Sequence, residues 1–170
     1  MHTTRPTAIQ VPPDAGQAFW LVGDTYTLKL TGEHTGGAFS LSEASVPPGG
    51  GPPPHVHYAE DETFVLLEGE LLLEADGRTL PAPAGTVVYV PKGTRHGFTN
   101  VGTTPARMLF LYAPAGMEHM FSEIGTATQP GRAAPPAGPE DIARMVSVAA
   151  KYRFQLLPPA QPQANGEERA

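Results

Sequence analysis

The chain has 170 residues, 40% of them apolar, with 20 prolines, 19 glycines, no cysteine and a formal net charge of −6. That length suffices for one domain with a core of its own, and the wealth of glycine and proline points to short strands and many turns. The negative charge argues against a nucleic-acid partner, and the missing thiols exclude disulfides, thiolate metal ligands and cysteine catalysis.

Residues 1–15 read as an arm without the apolar core of a signal peptide, so a cytoplasmic protein is expected. No run approaches the ~18 apolar residues that cross a bilayer, so no membrane contact is expected. Tyr26, Leu28 and Leu30 alternate with Thr25, Thr27 and Lys29, the period of a half-buried strand. Gly36-Gly37 opens a further run, Ala38 to Val46, which Pro47-Pro48-Gly49 closes. Phe64–Leu67 and Leu71–Ala75 flank Glu68-Gly69-Glu70, which predicts a turn between paired strands. Asp76-Gly77 predicts a tight hairpin returning through Arg78, Thr79 and Leu80. Thr86–Val90 follows, and Met108–Ala113 is an apolar run expected to be covered on both faces. Strands at this spacing suggest an antiparallel sandwich or barrel over 16–114. Beyond it, Met117, Met120, Phe121 and Ile124 repeat at helical spacing. Residues 129–139 read as a polyproline-like connector. Pro139 starts a second helix whose apolar face would hold Ile142, Met145, Val146 and Ala149. A helical extension over 115–157 and a disordered tail over 158–170 complete the organisation.

One stretch carries chemistry: PPPHVHYAEDETFVLLEGE, residues 52–70. His55 and His57 stand at i and i+2 on a strand, so both rings leave the same face. Glu62 can reach the same spot if the next strand folds back beside the first. His96, after the turn residues Pro91 and Gly93, offers a further nitrogen. Three neutral imidazoles and one carboxylate suit a divalent first-row metal with open coordination positions. Glu60 and Asp61 read as solvated turn carboxylates, and Arg95 as structural. His34 and His119 read as surface histidines. Phe64 and Leu66 share the parity of Glu62, and Phe98 that of His96, so these three are the expected pocket wall, with Val87 and Leu109 as further apolar neighbours. Tyr58 and Tyr89 are expected in the core.

The spacing is similar to that of the cupins. Their first motif is matched by Gly49, His55, His57, Glu62 and Gly69, and their second by Gly85, Pro91, Gly93, His96 and Asn100. The resemblance implies an all-β fold, a small antiparallel β-barrel or jelly roll, here with short C-terminal helices. It implies that His55, His57, Glu62 and His96 hold one divalent metal (iron, manganese, nickel, cobalt, copper or zinc) inside the barrel. A weaker likeness, in ETFVLLEGEL, PAGMEHMFSEIG and AAKYRFQLLPP, is to bacterial single-domain cupins of the quercetin 2,3-dioxygenase group. It implies a dioxygenase acting on an aromatic, flavonol-like or enolisable small molecule, with Glu62 as the catalytic base. A non-redox cyclase, lyase or isomerase on the same scaffold is the alternative, and a binding protein without turnover the third. A homodimer is expected, through the arm or the outward residues Thr63, Val65 and Leu67.

Overall fold

Alternating burial along each strand sets the architecture of the structure, a computed structural model that describes residues 8–158. The first seven residues of the expected arm, and the expected tail after Pro158, lie outside the described residues. In chain order the elements begin with β1 (Gln17–Leu21), β2 (Asp24–Leu30), α1 (Gly32–Thr35) and β3 (Ser40–Val46). Next come β4 (His55–His57), β5 (Asp61–Glu68), β6 (Glu70–Ala75), β7 (Arg78–Pro83), β8 (Val87–Val90), β9 (His96–Asn100) and β10 (Ala106–Ala113). The chain then adds α2 (Glu118–Ile124), β11 (Thr126–Ala127), α3 (Pro139–Val148) and β12 (Phe154–Leu156). Seven strands form one sheet in the order β11-β1-β2-β3-β10-β5-β8, and five form the other in the order β12-β4-β9-β6-β7. All pairings are antiparallel. No helix among the described residues is long and apolar enough to cross a membrane.

The inward residues make one core between the sheets. On β10, Met108, Phe110 and Tyr112 are buried, while Leu109 and Leu111 on the other face are only half-buried. The apolar run therefore lies under full cover on one face alone. Ile9 and Val11 of the arm border a surface groove with Leu41 and Leu109, which gives the outer face partial cover. The hairpin at Asp76-Gly77 has φ of 47° and 74° at its two loop residues, the left-handed pair of a tight turn. The turn expected at Gly69 is instead a crossing. β5 and β6 belong to different sheets. Gly69 has φ 82°, and a Cβ there would lie 2.9 Å from Ala106 Cα, so the chain can switch sheets at this point only without a side chain.

Asn100 closes the second sequence motif for a structural reason. Its buried amide donates to Val46 O at 2.8 Å and Thr104 O at 2.9 Å, and its oxygen accepts the Gly102 N–H at 2.9 Å. Beyond the barrel strands, α2 buries Met120, Phe121 and Ile124, with Met117 just ahead of it. Burial of each such side chain stabilises by roughly 1.5–3 kcal/mol. Packing, not helix propensity, thus holds this seven-residue helix. Glu118 is fully buried and accepts the N–H groups of Gly32 and Gly116, tying α1 to α2. α3 departs from its expected face: Met145 and Val148 are buried, whereas Ile142 and Val146 are 38% and 58% exposed. Asp141 lies on the buried side of the helix as well, where it accepts the Gly138 N–H at the helix start and pairs with Arg144. Two short strands, β11 and β12, had no sequence signal. They join β1 and β4 respectively.

Candidate metal centre

β4 presents His55 and His57 on one face, and β9 lies alongside with His96 opposite His55. Glu62 comes from across the barrel. Its strand, β5, belongs to the other sheet, where Glu62 faces Tyr112 and Val90 in register. The strand after the histidines therefore does not fold back beside them. The site is built between two sheets, and the carboxylate meets the imidazoles from the opposite wall. All four side chains are buried, and one ligand atom from each lies within 4.8 Å of the others. Atoms on opposite sides of an ion bound at ~2.1 Å stand ~4.2 Å apart, so a small contraction closes this set on a divalent ion.

The surroundings prepare the imidazoles for that role. His55 Nδ1 lies 2.9 Å from Pro53 O, and His96 Nδ1 lies 2.9 Å from Thr94 O. A carbonyl there accepts an Nδ1 proton and leaves the Nε2 lone pair turned inward. Both ring nitrogens of His57 are buried and without a hydrogen-bond partner. An orphaned buried imidazole is costly unless something further binds it, and a metal ion fits that need. Burial, with the neighbouring imidazoles, pushes His55 down to about 3. Burial likewise pushes His57 down to about 4 against the pull of Glu62. These two rings are thus neutral at physiological pH, as ligands must be. Burial alone would raise Glu62, but the hydrogen bond from His96 and electrostatic attraction to the surrounding imidazoles outweigh it and hold the carboxylate below its usual range. Burial alone would lower His96, and the same bond, 2.9 Å from Nε2 to Oε2, raises it instead. The shared proton occupies the place a divalent cation would take.

An apolar cavity of about 40 Å³ adjoins the quartet. Phe64 and Phe98 line it, their rings 5.7 Å apart and edge to face. Leu66, expected beside them, is buried elsewhere in the core. Val87 is 63% exposed on the outer face of the edge strand, and Leu109 is half-buried on that same outer face. Tyr58 and Tyr89 are exposed rather than in the core. Arg95 points away from the site and donates to Pro158 O. Asp61 accepts the Lys92 N–H at the surface, but Glu60 is buried, since it shares the inward parity of Glu62. Two tyrosines were not foreseen. Tyr112 packs on His57 with ring centres 5.2 Å apart. Tyr26 lines the cavity and donates to Asp24 Oδ2 at 3.0 Å. Their register was the available signal: each sits at an inward position of a strand already legible in the sequence.

Comparison with known proteins agrees with this architecture. The profile of the Cupin domain matches residues 42–112. An uncharacterised protein of Methanocaldococcus jannaschii, MJ1618, is 36% identical over 70 residues, 41% of this chain and 56% of that one. The tetracenomycin polyketide synthase protein TcmJ of Streptomyces glaucescens is 28% identical over 96 residues, 56% of this chain and 64% of that one. The chain thus spans less than two-thirds of either relative. The crystal structure of a predicted oxalate decarboxylase from Thermotoga maritima superposes with a TM-score of 0.59 at 22% identity, over 62% of this chain and 99% of that one, a likeness of fold. Residues 42–112, which carry the buried His55, His57, Glu62 and His96, thus match the Cupin domain.

Proposed function

We propose that the protein is a metal-dependent oxygenase acting on a neutral aromatic or enolisable small molecule. One observation carries this reading. The quartet opens onto a cavity walled by aromatic rings and thioethers, with no lysine or arginine among its lining residues. A wall of that kind favours an uncharged, apolar body and offers nothing to neutralise a phosphate or a second carboxylate. His55, His57, His96 and Glu62 would hold the ion, which supplies an open position for a substrate oxygen. Glu62 is the group suited to take the substrate's hydroxyl proton, because it is the one carboxylate that lines the cavity. Phe64 and Phe98 would hold the ring plane, and the buried wall would keep water from the reacting carbon. Oxygen uptake by metal-loaded protein, offered quercetin and simpler enols, tests the proposal. Product carrying label from isotopic dioxygen is the expected result, and turnover without label would sink it. A non-redox cyclase is the second reading, supported by the likeness to TcmJ. It predicts a rearranged product with no oxygen consumed.

A further inference from the structure

The cavity beside the quartet is too small for the substrate class proposed. At about 40 Å³ it has room for a few waters, since one water takes ~10–15 Å³ of such space and benzene occupies a cavity of roughly 150 Å³. An aromatic ligand can enter only if part of the wall gives way. The two kinds of wall differ in how firmly they are held. Phe64, Phe98 and Phe110 stand on β5, β9 and β10, each of which has a strand paired on both sides. Displacing them would break ladders. Met117, Met120, Phe121 and Met145 belong instead to α2, its cap and α3. Those helices have seven and ten residues, and the stretch between β11 and α3, 128–138, contains no helix or strand. Helices this short are marginal by themselves and depend on the very side chains that fill the cavity. Three of the four are methionines, whose unbranched chains repack at low cost. α3 also leaves Ile142 and Val146 in solvent, so this arrangement does not use all of its apolar surface.

We infer that Met117, Met120, Phe121 and Met145 form a displaceable wall that selects the substrate: a neutral aromatic ligand binds beside the metal ligands by taking the space these side chains fill. The inference rests on the reading that the cavity receives an organic substrate. Residues from beyond the matched domain segment thus decide what the centre inside that segment can reach.

The test uses the full chain reconstituted with zinc and titrated with 2-naphthol, a neutral fluorescent aromatic alcohol. Met120→Ala and Met145→Ala are expected to bind it at least tenfold tighter than the parent chain. Leu73→Ala hollows the core at a buried residue that does not border the cavity, and is expected to leave the affinity unchanged. Folded Met120→Ala and Met145→Ala proteins with no gain, or an equal gain in Leu73→Ala, would overturn the inference. Should the alanine variants not fold, hydrogen exchange on the parent chain decides. Added 2-naphthol is expected to change exchange at least tenfold in 117–124 and 139–148 while β10 stays unchanged. No change, or the same change throughout, overturns it. Elemental mass spectrometry on the same samples keeps the two readings apart. Bound zinc without any naphthol binding by the variants sinks the wall. Naphthol binding with no zinc supports the wall and sinks the metal centre.

Discussion

Asp24 permits a quantitative test of how the barrel is held together. It is fully buried at the start of β2, where Oδ2 accepts the Tyr26 hydroxyl at 3.0 Å. Oδ1 lies against the glycine loop before His55, close enough that a Cβ on Gly50 would be 2.8 Å away. The Gly51 N–H points toward the carboxyl but leaves Oδ1 short of a well-formed hydrogen bond. Burial, opposed by the Tyr26 and Gly51 donors, pushes the carboxyl from 3.8 up to about 7. Between those values the folded chain holds a proton that the unfolded chain releases. Stability from this group is therefore full below pH 3.8 and lost as pH rises through about 7. That rise, from 3.8 to about 7, corresponds to a loss on the order of 4 kcal/mol across the window. Asp24→Asn removes the titration and keeps the shape. Urea unfolding of both proteins from pH 4 to 8 should show the variant gaining on the parent by several kcal/mol as pH rises. The difference between the two curves carries the test, because His55 and His57 titrate in the same range with opposite sign. Parallel curves would mean that Asp24 is ionised in the folded protein, and the account of its burial would be wrong.

Other outcomes follow from the same structure. His57→Ala should lower bound metal at least tenfold in elemental mass spectrometry while circular dichroism keeps its strand signal. Metal-free protein should lose stability as pH falls from 6.5 toward 4, because burial holds His55 and His57 at about 3 and 4 and the unfolded chain takes up protons first. Urea melts in chelator give the slope, and added metal should steepen it, because a bound ion also keeps the proton off His96 in the folded chain. Asn100→Ala leaves two carbonyls and one N–H without partners, so it should cost about 3 kcal/mol in a urea melt with metal content unchanged. β8 is an edge strand with Val87 and Tyr89 exposed, and antiparallel edges can pair with themselves. Light scattering should give twice 17.9 kDa, and Val87→Asp should return the single-chain mass.

The quartet is legible because its information is local: fixed spacings pick out the four ligands, and strand parity puts the rings of His55 and His57 on one face. What parity cannot say is which sheet the next strand joins. Sequence alone therefore pairs β5 with the strand of the histidines and makes Gly69 a hairpin turn, whereas both features depend on contacts with β10. Glu60 went unrecognised for a related reason. Its parity with Glu62 was available, but a run of three acidic residues reads as solvated until the wall opposite is known. Leu66 shares that parity too, yet lies further along β5 than the cavity extends. Apolar spacing in α3 favours Ile142 and Val146, whereas the buried face carries Asp141, Met145 and Val148, because a polar residue that caps the helix start is not visible as an inward position in an apolar count. Strands of two or three residues such as β11 and β12 carry no periodicity at all.

β12 has a consequence for how the protein is made. β4, the strand of His55 and His57, touches β9 through the single pair His55–His96, while β12 grips it through three pairs that reach Leu156. A ribosome delivers the histidines some hundred residues before the strand that clamps them. For most of synthesis the ligands exist without their clasp. Any metal capture at this site is therefore expected to be a closing event of biogenesis, and chains halted before Phe154 should take up less metal than finished chains.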